Sequence, residues 1–445
     1  MIGKKIYFLI EQTVLLLLLL SGGCQVQKNT AGLMDNRDSV KVIEARASVR
    51  PVTQGPKQHW FGYYDKYQIN ASGRYALGGE VEFFFRPPTP GDTLKICLID
   101  LQNGNRWKQV GTSTAWGWQQ GCMLQWVPGS DDEIVWNDRE GDHFVARLYN
   151  IKSGKMRTLP KAIYTVSPDG KWALGTEFVR IQNMRPGYGY PGFADPDENI
   201  KAPKDKGLYK MDLATGNVTL LFSYADLANL PHAKGDLSRY WNYFNHLLVS
   251  PDGNRFIFLH RWREEMGPRE KRATGGFFTR MVTASKEGKD LFVVDPSGNT
   301  SHFIWKDSEH ITAWTKPDGY PAGFYEFEDK KNTLLSTGKG AMTENGHNTF
   351  VPGTNNEWIL NDTYPSAKDR KQTLYLYHTP SNTKIILGRF TSPPEYKGEW
   401  RCDLHPRTNR QGTKVYFDSP HEGNGRQMYE IDIRRIIRKK SFISR

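Results

Sequence analysis

A hairpin unit that recurs along the chain constrains the fold more than any other feature. Its fullest copies are Tyr164-Thr-Val-Ser-Pro-Asp-Gly-Lys-Trp-Ala-Leu and His246-Leu-Leu-Val-Ser-Pro-Asp-Gly-Asn-Arg-Phe-Ile-Phe; related copies begin at Gln68, Leu124, Ala313, His347 and Leu404. In each, a short apolar strand meets a Pro/Gly-rich turn and then a strand of aromatic and β-branched residues. Pro presets the first turn angle and Gly tolerates positive φ, so the motif reads as a β-hairpin. A second unit alternates with the first, beginning at Leu98, Leu148, Leu208, Leu291 and Leu374. Together the two make a four-stranded antiparallel blade. The seven copies of the first unit predict an all-β chain, a seven-bladed β-propeller, with Gln427-Met-Tyr-Glu-Ile-Asp-Ile completing the last sheet. A pair of β-sandwiches would not require the same paired hairpin so often.

The repeats occupy residues 58–433, and the ends read differently. Residues 1–24 have an export pattern: Lys4 and Lys5, an apolar run from Val14 to Leu20, then Ser-Gly-Gly before Cys24. The run is too short and too near the start for a spanning helix. Cys24 is therefore expected to be the lipidated first residue of a periplasmic or outer-membrane lipoprotein, anchored to the membrane through that lipid. Residues 25–57 lack periodicity and are expected to be a flexible tether. The formal charge of +12 includes six Lys and Arg of a basic tail at 434–445, so the body is only mildly basic. For an exported protein this disfavours nucleic acid and suits anionic polysaccharide. Cys97, Cys122 and Cys402 are odd in number and scattered, which argues for buried thiols rather than a disulfide framework. A monomer is expected.

Propellers put chemistry at the mouth of the channel, on residues that recur at one place in the repeat. Histidine does this: His246 and His347 open first strands, and His405 precedes the corresponding run of the last blade. Three converging imidazoles can bind a divalent metal or move protons; the alternative is that each simply bonds a neighbouring blade. Around them stand His260 and Arg261 at the end of the hairpin that His246 begins, Asp362 and Tyr364 in the His347 blade, and Arg401 and Asp403 beside His405. The aromatic segment His59-Trp-Phe-Gly-Tyr63-Tyr64 can stack on sugar rings or can serve packing alone, and the Gly-rich insertion that holds Arg185 and Tyr188 reads as a mobile lid or as a rigid loop. Long insertions at 182–206 and 263–272 are expected on a face of the disc. There is no Gly-x-Ser-x-Gly elbow, phosphate loop or His-Glu-x-x-His.

The order of His246, His260, Gly346-His347 and Asp403-Leu-His405-Pro resembles the TolB-like propellers and, among enzymes of that architecture, the oligogalacturonate lyases. The resemblance covers roughly the C-terminal half. It implies a divalent metal (Mn, Ca or Zn) held mostly by histidines, with basic residues removing the proton α to a uronate carboxylate. His347 and His405 match metal ligands, Asp403 stands where another histidine is expected, and His260 matches the region of a catalytic histidine. Trp400 stands about where the family has a glutamine ligand. The resulting expectation is a lyase that cleaves uronic-acid glycans by β-elimination. His246, His260, Arg261 and Tyr364 would then be catalytic; His347, Asp403 and His405 would bind metal; His59, Tyr63, Tyr64, Arg185, Tyr188 and Arg401 would bind substrate. The alternative is a non-catalytic TolB-like propeller that binds glycan or protein at the cell envelope.

Overall fold

The computed structural model describes residues 39–438. The expected signal segment, Cys24 and the first part of the tether lie outside the described residues, as does the end of the basic tail.

Seven antiparallel sheets follow one another in sequence order, a seven-bladed β-propeller. In blade 3, for instance, Thr165–Val166, Trp172–Thr176, Gly207–Asp212 and Val218–Ser223 run from the axis outward. Side chains alternate across each strand, so every blade presents one apolar face to the blade before it and one to the blade after. Buried clusters link consecutive pairs around the whole ring. Val135 meets Ala173 between blades 2 and 3, Leu208 and Phe258 share a cluster between 3 and 4, and Leu259 with Phe303 joins 4 to 5. Phe324 with Tyr375 joins 5 to 6, Leu374 with Phe417 joins 6 to 7, and Met428 with Leu77 closes 7 onto 1. No blade can bury both faces alone, so the ring as a whole is the unit of stability.

The Ser-Pro-Asp-Gly hairpins form as the sequence predicts. Gly170 and Gly253 donate to Ser167 and Ser250 carbonyls at 2.9 Å, each with φ near +70° (+69° and +74°). At Gly170 a side chain would meet the Pro128 carbonyl oxygen at 2.4 Å, so glycine is required there twice over. Cys97, Cys122 and Cys402 are buried free thiols.

Three expectations need correction. Residues 25–57 are not all tether, because the folded body begins at Ser39. Lys41–Glu44 pairs in parallel with the outer strand Thr383–Thr391 of blade 6. Val49–Pro51 pairs antiparallel with Gln427–Asp432, so it, and not the final strand, completes blade 7. Both are edge strands of three or four residues with one wet face, too short and too polar for a period of two to register. Second, the units beginning at Ala313 and Leu291 stand one strand later in their blades than the repeat predicts. The Pro317-Asp318-Gly319 turn joins the second and third strands of blade 5, His310–Thr315 and Gly323–Glu328, whose first strand is Phe303–Trp305. Phe292–Gly298 is the fourth strand of blade 4, not its third. Third, the tail starts as a short helix, Arg434–Ile437, with Ile436 buried against blades 6 and 7.

Candidate active site

First strands start, and second strands end, on the same face of an antiparallel blade. The recurrent histidines therefore share a face with the insertions that follow second strands in blades 3 and 4. Two local devices turn side chains inward there. His246 lies inside the strand Trp241–Val249 rather than at its start, at a bulge where the register shifts between Asn245 and Leu248, and His405 lies just before Arg407–Thr408. Their φ values of +52° and +43° are an uncommon left-handed kink that histidine tolerates. In blade 1 the innermost strand breaks: Gln58–Trp60 pairs with residues 79–81, and the chain rejoins the sheet only at Ile69. The excursion between carries Tyr63 and Tyr64 into the middle of the ring.

His246, His347 and His405 converge, as the repeat requires. The Tyr63 ring lies 5.0, 6.1 and 5.0 Å from their rings in that order. His347 and His405 are 4.4 Å apart. A fourth imidazole, His302, stands 4.2 Å from His347; it opens the first strand of blade 5 in the same way. The sequence carried its signal, His302-Phe-Ile-Trp-Lys-Asp, an imidazole before an apolar run and a turn. Taking Pro317-Asp318-Gly319 for the first hairpin of that blade hid it.

Hydrogen bonds fix the ring nitrogens. His347 directs Nδ1 to both oxygens of Asp362 at 3.0 and 3.1 Å, which leaves Nε2 free. His302 Nδ1 lies 2.9 Å from Asn345 Oδ1, and the Asn345 amide nitrogen donates to Ser301. Oδ1 can only accept, so His302 carries its proton on Nδ1 and a lone pair on Nε2, 3.4 Å from the Tyr364 hydroxyl. Burial, reinforced by nearby His347 and Arg185, holds His302 well below the ordinary histidine range. Burial does the same at His246, with Arg185 adding to it, and at His405, with His347 adding to it. These imidazoles are neutral at pH 7, the state that a ligand or a base needs.

His347, Asp403 and His405 offer ligand atoms within 4.8 Å of one another, all on buried residues. Asp403 Oδ1 and His405 Nε2 have no hydrogen-bond partner among the described residues. Two buried orphans facing a free imidazole nitrogen are costly unless something fills the space between them. The mixed N and O donor set fits a divalent transition metal. Arg401 donates to the other oxygen of Asp403 at 2.9 Å and to Tyr188 Oη at 2.7 Å. Arg185 also reaches Tyr188 Oη, at 3.2 Å, and stacks over its ring at 4.1 Å. Arg185 and Arg261 both lie over Phe277 at 4.6 Å. Each keeps buried Nε and Nη1 groups without a partner. These are unspent donors suited to a carboxylate.

Three segments cover this centre: residues 182–190, the insertion after Arg263, and residues 397–401. The first and third are joined by the Arg401–Tyr188 hydrogen bond and the second and third by an Arg269–Glu399 ion pair at 2.8 Å, and the Gln119 side-chain N–H donates to the Glu399 carbonyl at 2.9 Å. One cleft of about 570 Å³ is lined by the insertion after Arg263, Phe277 among its walls; another of about 710 Å³ runs between blades 2 and 3, lined by Phe144, Phe178 and Phe193.

Two expected site residues are elsewhere. His260 points from the opposite face of its strand, where Nε2 meets Asn242 Oδ1 at 2.7 Å and Nδ1 accepts from Arg280 at 3.0 Å. Both nitrogens are spent in packing blade 4, while its neighbour Arg261 alternates toward Phe277. His59 bonds Gln427 at 2.8 Å and Glu80 at 3.2 Å and meets Trp107 edge-on, an inter-blade fixture. Tyr64 meets His302 and His347 with its ring only, since its hydroxyl donates to the Phe303 carbonyl and accepts from its N–H.

No family model matches the sequence, and no curated protein matches it. Among solved structures, an oligogalacturonate lyase in complex with manganese aligns with a TM-score of 0.61 at 15% identity, over 88% of this chain and 95% of that one. An oligogalacturonate lyase from Vibrio parahaemolyticus gives 0.61 at 12% identity, over 89% and 95%. TolB from Acinetobacter baumannii aligns over 72% of this chain with a TM-score of 0.38. The chain thus shares the seven-bladed propeller fold of the oligogalacturonate lyases across nearly its whole described length.

Proposed function

We propose that this protein is an exported lyase that cleaves uronic-acid-containing oligosaccharides by β-elimination. The observation that carries the reading is His302: a neutral buried imidazole, its Nε2 lone pair 3.4 Å from the Tyr364 hydroxyl and its ring 4.2 Å from His347, beside a His–Asp donor set and unspent arginine donors. Elimination needs a neutralised carboxylate, a base for the C5 proton and a proton for the leaving oxygen. His347, Asp403 and His405 would hold a divalent ion, and its chemistry is to draw charge from the uronate carboxylate. The manganese bound by the similar lyase supports Mn, and two imidazole ligands disfavour Ca, which prefers oxygen. Arg185 and Arg261 present N–H groups to the same carboxylate. His302 Nε2 takes the C5 proton, the electron pair left behind forms the C4–C5 double bond, and the C4–O bond breaks. His302 takes the role expected of His260; His246 has Tyr63 Oη 3.4 Å from its Nε2.

His302→Ala should abolish the ultraviolet-absorbing unsaturated product from uronate oligosaccharides, whereas His260→Ala should cost stability and leave turnover per folded molecule near wild type. The reverse pattern would remove the proposed base. The alternative, a propeller that only binds glycan or protein, predicts bound ligand with no unsaturated product from any variant. Export rests on residues 1–24: Cys24→Ser should move the protein from the membrane fraction to the soluble one, and unchanged fractionation would discard the lipid anchor.

A further inference from the structure

The leaving oxygen needs a proton, and the hydroxyls of three tyrosines stand among these side chains, each with a different partner. Tyr364 shares its hydroxyl with His302 Nε2, the atom that takes the C5 proton. Tyr63 shares its own with His246. Tyr188 differs from both. Its oxygen accepts two charged donors, Arg401 Nη2 at 2.7 Å and Arg185 Nη2 at 3.2 Å, and no described residue accepts its proton. The side chain is buried, 3% exposed. It projects from the insertion Arg185-Pro-Gly-Tyr188-Gly, where Gly187 has φ of +92° and lies against Glu399. Arg401, which holds its oxygen, also holds Asp403, so Tyr188 stands one guanidinium away from the donor set. Its ring is 6.0 Å from His246.

We infer that Tyr188 is the proton donor to the departing sugar, an assignment that rests on the elimination reading above. As the C4–O bond breaks, the pair on the leaving oxygen takes the Tyr188 Oη proton. The phenolate left behind is held by the two guanidinium donors already in place, which need no rearrangement as the charge develops. The proton that His302 gained from C5 leaves to solvent, and solvent reprotonates Tyr188, so the step is neutral in protons and electrons.

The test is Tyr188→Phe on two substrates: a uronate disaccharide, and a synthetic uronate carrying 4-nitrophenoxide at C4, a leaving group that needs no proton. On the disaccharide, kcat should fall about 10²- to 10⁴-fold, the usual worth of a positioned acid, while the nitrophenoxide substrate should be turned over within about threefold of wild type. Tyr188→His, which restores a donor, should regain part of the loss. Equal losses on both substrates, or no loss on either, would overturn the assignment. Turnover of neither substrate by the wild type would instead remove the elimination reading itself, and this inference with it. Manganese binding followed by calorimetry should be unchanged in Tyr188→Phe; its loss together with equal kinetic losses would mark Tyr188 as a structural spacer.

Discussion

His246 and His260 sit on one hairpin and meet opposite fates. The first is kinked out of its strand toward the axis, while the second stays in register opposite Phe244 and is locked between Asn242 and Arg280. Residue type and repeat position were enough to find His246, His347 and His405, because equivalent stretches of the innermost strands in a closed ring converge, although His246 lies inside its strand and not at its start. They could not exclude His260, because which face of a strand is packed depends on what the next blade presents. Dry imidazoles have a measurable consequence. Burial first, and then neighbouring charge, holds His246, His260 and His302 well below their ordinary value. Once unfolded, each binds a proton near pH 6.5; folded, it does not. The unfolded state therefore gains protons first as pH falls. Metal-free protein should lose stability from pH 7 to pH 5, with a slope of up to about 1.4 kcal/mol per pH unit for each such histidine. Urea midpoints at pH 7, 6 and 5 measure this, and equal midpoints would mean that the rings protonate without leaving the fold.

At the scale of elements, short segments decide more than long ones. The break after Trp60 sends Tyr63 among the histidines, and no propensity announces it, since an aromatic run reads equally well as continuous strand. The Pro-Asp-Gly motif in blade 5 shows the opposite hazard: a turn signal reports that the chain reverses, not which of three reversals in a blade it makes. Lys41–Glu44 and Val49–Pro51 were unreadable because edge strands are held by ladder bonds and by charge pairs such as Arg389–Glu44 at 2.7 Å, and Arg50–Glu430. Val49–Pro51 joins the start of the ring to its last blade. A chain truncated to begin at Val52 should lose about 3–5 kcal/mol, from exposed apolar surface and an unpaired strand edge on Gln427–Asp432. Calorimetry should show a lower and broader transition; an unchanged transition temperature would mean that the blade interfaces alone hold the ring closed.

For the molecule as a whole, closure is what turns scattered residues into a site. Tyr63 and His405 belong to the first and last blades, yet their rings are 5.0 Å apart. Closure also concentrates the positive charge that matters. The basic tail carries six of the twelve net positive charges, whereas Arg185 and Arg401, from different segments, meet at the Tyr188 hydroxyl, and Arg185 and Arg261 meet at the Phe277 ring. Repeat, turn chemistry and strand alternation are local properties of the chain, and by themselves they determined an all-β ring of about this many blades with histidines at its mouth. The break in blade 1, the terminal staples, the exclusion of His260 and the pairing of Tyr188 with two arginines were decided only in three dimensions. Each of these depends on what a neighbouring blade or insertion places against the residue, and packing between segments far apart in sequence leaves no period to read along the chain.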